Sequence, residues 1–122
     1  MSLESITRKE LQKIYEIDIL PIKKKFERKN ANSDKLEAEL KNILQNNSNA
    51  IHILCLKLLG NYLNKSMDEM LTYHVIFVNK ENNDYKLIDR LGNNIVKYHI
   101  DIESNHLFID NNDLGVISLL ES

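Results

Sequence analysis

Residues 95–103 read Ile-Val-Lys-Tyr-His-Ile-Asp-Ile-Glu, and from Val96 onward apolar and polar side chains alternate without interruption. Val96, Tyr98, Ile100 and Ile102 fall on one side of that alternation, and Lys97, His99, Asp101 and Glu103 on the other. Only an extended backbone, whose side chains repeat every two residues, gathers each set onto its own face. The stretch is therefore a half-buried β-strand, and something apolar must cover its buried side.

The same period of two, rich in β-branched and aromatic residues, extends outward from this strand to Tyr73 upstream and towards the C-terminus. Strands are expected at 73–79, 85–90, 95–103, 106–110 and 115–120. Polar turns separate them at 81–84, 92–94, 104–105 and 111–113. Connections this short join only antiparallel neighbours, which makes a meander. Its third and fifth strands are candidate edges.

Upstream of Tyr73 the period becomes helical. Thr7 and Glu10 form a capping box, flanked by Ile6 and Leu11 in hydrophobic-staple positions, so a helix starts at Arg8 and buries Leu11, Ile14 and Tyr15. Pro21 should stop or kink it near Asp18, although Tyr15–Ile19 also alternates like a strand. Leu36, Leu40, Ile43 and Leu44 define a second helix with Ser33 as its cap. Ser48 caps a third, in which Ile51, Leu54, Cys55, Leu58, Leu59, Tyr62 and Leu63 keep the helical period. Ile53 and Leu56 widen its apolar arc, making it the central helix. Ser66 and Glu69 repeat the capping box before a short helix through Leu71. The expected fold is α+β in one domain over 1–122. Three to four helices at about 7–71 pack on one face of a four- to five-stranded antiparallel meander at about 73–120.

Composition narrows the class. A chain of 122 residues, 43% hydrophobic and 28% charged with three Gly and one Pro, suits a globular core and excludes disordered or fibrous classes. The single Cys55 cannot close an internal disulfide and points to a reducing, cytoplasmic compartment. The first residues hold no signal-like apolar run, and no stretch reaches the roughly 18 apolar residues of a membrane span. Abundant Ile, Lys and Asn match AT-rich codons, as on horizontally mobile or phage-like bacterial DNA.

Chemistry-bearing motifs are scarce. His52 and Cys55 stand three apart on a helix, but a closed zinc site needs four ligands and no second pair exists. Cys55 then reads as a buried inert thiol and His52 as a helix-surface residue, with no metal or other cofactor implied. Gly60, Gly92 and Gly115 are too scattered to cradle a phosphate, and no nucleophile elbow or metalloprotease helix occurs. His99, Asp101 and His106 share a strand face or its adjoining turn and could serve general acid-base work or a small-ligand site. No catalytic residue is otherwise marked, and a non-enzymatic role is expected.

Charge is the informative feature. Residues 1–66 carry 12 Lys and Arg against 8 Asp and Glu, whereas residues 67–122 carry 4 against 10. No Lys or Arg follows Lys97. The acidic surface formed by Asp101, Glu103, Asp110 and Asp113 suits a cationic partner, which fixed negative charge attracts and steers. The leading expectation is a small inhibitor or toxin-immunity (antitoxin-type) protein masking a cationic toxin or nuclease. The runner-up is a nucleic-acid-binding module using Lys23, Lys24, Lys25, Arg28 and Lys29, which would neutralise phosphates. An enzyme or ligand-binding domain at His99, Asp101 or His106 ranks third.

Overall fold

The computed structural model of the chain describes residues 4–28 and 30–118. Lys29, the residues 119–120 of the expected last strand, and Glu121 lie outside the described residues.

Thr7 is extended and its hydroxyl accepts from the Glu10 amide at 3.2 Å, so helix α1 (Arg8–Ile14) begins at the expected cap. The Glu10 carboxylate accepts from the Asn49 side chain instead, at 2.9 Å. A strand residue adds a second cap, because Nδ1 of His74 accepts from the Arg8 amide at 3.0 Å.

The helix neither ends near Asp18 nor breaks at Pro21. It widens into a π-turn at Tyr15–Ile19 and continues as α2 (Leu20–Phe26). The Leu20 amide reaches back five residues to the Tyr15 carbonyl. That wider turn relieves the clash a proline ring makes with the carbonyl four residues earlier, at a position whose missing N–H would otherwise break the ladder. Residues 15–22 are thus helical, held so by burial of Ile19 and Ile22 against the core.

Two further caps sit one residue before the expected serines. Asn32, not Ser33, accepts from the Lys35 amide at 3.1 Å and opens α3 (Ser33–Asn46). Asn47, not Ser48, accepts from the Asn49 amide and starts a 3-10 turn at Ser48–Ala50 that leads into α4 (Ile51–Leu63). Asparagine caps as well as serine does, and at each site the asparagine occupies the extended position. Helix α4 closes on Asn64 in the left-handed region (φ 57°), with the Lys65 amide donating to the Gly60 carbonyl at 2.9 Å. Ser66 caps α5 (Met67–Met70) as expected. Counting the α1–α2 rod once, four helical bodies lie among the described residues.

The sheet is antiparallel, with strands β1 (Ser5–Ile6), β2 (His74–Asn79), β3 (Asp84–Ile88), β4 (Asn94–Asp101), β5 (His106–Ile109) and β6 (Asn112–Val116) in that spatial order. This is the expected α+β meander with more strands than counted. The added strand, β1, pairs Ser5 with Ile76 and Ile6 with Val75. The strand of 95–103 lies between β3 and β5 and is interior rather than an edge, whereas the last expected strand is an edge as expected, so that among the described residues the edges are β1 and β6. Strand β6 starts before residue 115, because Ile109 pairs with Asn112 across a tight reversal in which Asp110 has a positive φ of 54°.

Val75, Phe77, Tyr85, Leu87, Tyr98, Ile100, Leu107 and Ile109 form the inner face and pack with Leu11, Ile14, Leu54, Leu56 and Leu59 of the helices in one core cluster. Ile102 does not join them. Strand β4 ends at Asp101, whose carboxylate accepts from the Glu103 and Ser104 amides and turns the chain, leaving Ile102 62% exposed. Among the described residues no helix is long and apolar enough to cross a membrane.

Candidate functional site

Among the described residues no helix covers the outer face of the sheet. Cross-strand register assembles its chemistry: Asp84 lies opposite His99, His99 opposite Phe108, Phe108 opposite Asp113, and Asp101 opposite His106. One continuous patch across β3–β6 results, with Phe108 half-buried in its middle.

Two histidine–aspartate pairs flank that ring. His99 donates from Nδ1 to Oδ1 of Asp84 at 2.8 Å, and its ring centroid lies 6.5 Å from that of Phe108. His106 donates from Nδ1 to the Asp113 carboxylate at 2.8 and 2.9 Å. Asp113 also accepts from the Gly115 amide at 2.8 Å. That amide first, and His106 after it, hold the Asp113 carboxyl below its ordinary range.

The four carboxylates singled out from sequence are disposed unequally. Asp101 and Asp113 belong to the patch, Asp101 half-buried beside His106 and engaged with turn amides. Glu103 and Asp110 occupy the turns at either end of β5, both exposed. Asp110 lines a shallow hollow of about 290 Å³ with Asp84, Lys97 and His99. Among the described residues Asp113 pairs with His106, while Lys25, Lys65 and Lys80 pair with Glu39, Glu69 and Glu4. Cations do enter the sheet, however, since Lys86 and Lys97 stand directly opposite each other at its centre. The negative charge is thus concentrated towards β4–β6 rather than spread over the whole sheet.

His99, Asp101 and His106 do share a face, but each imidazole is engaged by a different aspartate. The hollow beside His99 is open and shallow, unlike the enclosed concavity typical of a small-molecule site. Among the described residues no group of three or more His, Cys, Asp or Glu converges as metal ligands.

His52 is not a surface residue. It is 2% exposed, shares a 2.8 Å hydrogen bond with the Tyr98 hydroxyl, and meets the rings of Phe77, Tyr85 and Tyr98. Because α4 is apolar on nearly every side, even its polar second residue is packed inward. Burial lowers the His52 pKa to about 4 and raises that of the wholly buried Cys55 thiol.

The basic run is split by the rod that carries it. Lys23 lines a groove against α4, Lys25 pairs with Glu39 of α3 at 3.4 Å, and Lys24 and Arg28 are exposed. Asp84 and Phe108 escaped the sequence reading. The alternation His-Leu-Phe-Ile at 106–109 already puts Phe108 beside His106 on the wet face, whereas the Asp84 contact depends on strand register. No known protein family matches the chain, and no curated protein or solved structure gives a significant match.

Proposed function

We propose that the chain is a non-enzymatic binding domain that docks a cationic protein surface on the outer face of β4–β6, in the manner of an inhibitor or toxin-immunity protein. The observation that carries this reading is Phe108, an aromatic side chain half-buried on a sheet face that no helix of the described residues covers, with Asp113 opposite it on β6, His99 opposite it on β4, and Lys97 and Asp101 on either side of His99. Protein interfaces favour an aromatic anchor at the centre of a polar, charged rim. Carboxylates in such a rim act mainly on the rate and selectivity of encounter.

The test begins with the protein that co-purifies with the full chain from its native lysate, followed by stopped-flow association with that purified partner. The partner should be basic. Reversing Asp101, Asp110 and Asp113 to Lys should slow association at low ionic strength by about tenfold or more and flatten its salt dependence. An association rate unchanged by the triple reversal refutes the assignment of this face.

A further inference from the structure

Between the start of α4 and the β2–β3 turn, on the inner side of the sheet, lies a cavity of about 350 Å³. That volume falls in the range of small-molecule sites. Its floor is His52, Phe77, Tyr85 and Ile100, all buried. Around them stand Leu44 of α3, Asn49 of the 3-10 turn, Ile51 of α4, and Lys80, Asn83 and Ile102 from the turns of the sheet.

The floor is aromatic, and its rings hold one another in place. Tyr85 meets His52 edge-on, with centroids 4.5 Å apart and planes at 80°, and meets Phe77 edge-on at 5.1 Å and 83°. A 2.8 Å hydrogen bond between Nδ1 and the Tyr98 hydroxyl anchors the His52 ring. Towards solvent the lining stays apolar. Ile102 belongs by alternation to the inner face yet is 62% exposed, and Leu44 and Ile51 are only half-buried. Apolar surface left around a recess floored by buried rings gains free energy when an apolar body covers it.

The lining favours an uncharged occupant. Among the described residues no Asp or Glu lines the cavity, and burial keeps His52 neutral down to about pH 4. The polar side chains at the rim already have partners: Lys80 pairs with Glu4 at 3.3 Å, Asn49 donates to Glu10 at 2.9 Å, and Asn83 accepts from the Tyr85 hydroxyl at 3.3 Å. An ionised ligand would lose hydration here and meet only Lys80, whose ammonium is already beside a carboxylate.

We infer that this cavity binds an uncharged aromatic molecule of one or two rings. Its ring extends the edge-to-face cluster of Phe77 and Tyr85, an arrangement that aromatic rings prefer, while Leu44, Ile51 and Ile102 cover its outer side. The site lies on the opposite face of the sheet from the β4–β6 patch, so the two succeed or fail separately.

The test is a two-dimensional amide NMR titration of the full chain at pH 7 with indole, phenol, cyclohexanol, benzoate and benzylammonium. At least one of indole and phenol should give saturable shifts centred on residues 44–52, 77–85 and 100–102. The tighter of the two should bind about threefold or more above cyclohexanol and no more weakly than either ion. Ile102→Asp should weaken that binding several-fold, whereas Leu91→Asp, at the 87% exposed tip of the β3–β4 turn, should leave it unchanged. If Ile102→Asp alters the spectrum broadly, Ile102→Ser decides. Absence of saturable shifts with both aromatics, shifts centred elsewhere, equal binding of cyclohexanol, tighter binding of either ion, or full affinity in the Ile102 variant overturns the site.

Discussion

His52 is a titratable side chain enclosed by aromatic rings, and burial keeps it neutral down to a pKa of about 4. In the unfolded chain an imidazole binds its proton near pH 6.5, so on acidification the unfolded state takes up the proton first. The stability present above pH 6.5 is therefore lost between pH 6.5 and pH 4, by about 3 kcal/mol for this group, and the loss levels off below that window. Urea unfolding followed across those pH values should show the decline, and His52→Gln should remove most of it. An equal decline in the variant would mean that other groups cause it. Cys55, three residues on, is wholly buried, and burial raises its thiol pKa, which disfavours the thiolate that a nucleophile needs.

Each secondary element carries a local instruction and a compromise with its neighbours. The α1–α2 rod obeys the Thr7 cap but passes Pro21 by way of the π-turn, since stopping there would lose the burial of Ile22. Strands β3 and β4 compromise in the opposite sense. Their register seats Tyr85 against Tyr98 and Leu87 against Val96 on the inner face, at the expense of placing Lys86 opposite Lys97 on the outer one. Like charges directly opposite are mutually destabilising, so Lys97→Glu should raise stability by about 0.5 kcal/mol, read as a higher urea midpoint at unchanged slope. A lowered midpoint would show that this lysine pair does not oppose folding.

In the molecule as a whole the two faces of the sheet differ, one packed into the core and the other bearing the proposed docking patch. Leu107 is fully buried among helix and sheet side chains, whereas its neighbour Phe108 points outward into the acidic patch. Leu107→Ala should cost about 3 kcal/mol of unfolding free energy, as large-to-small changes in a packed core do. Phe108→Ala should cost about 1 kcal/mol or less, yet weaken capture of the proposed cationic partner well beyond that. Comparable stability losses in the two variants would show that Phe108 serves the fold rather than an interface.

The α+β order, the switch of period at Tyr73, the antiparallel meander and most helix positions were legible from residue spacing alone. They follow from local rules: side-chain period, caps and turns that act over a few residues. Errors arose where distant parts of the chain met. The fate of Pro21 depended on burial of Ile22, the burial of His52 on Tyr98, and the strand at Ser5–Ile6 on its pairing with β2. In the candidate site, the period of two places His99, Asp101 and His106 on the wet face. Which aspartate each imidazole meets, and that Phe108 lies between them, was set by cross-strand register, because hydrogen-bonded pairing aligns residues far apart in the chain that no local pattern relates.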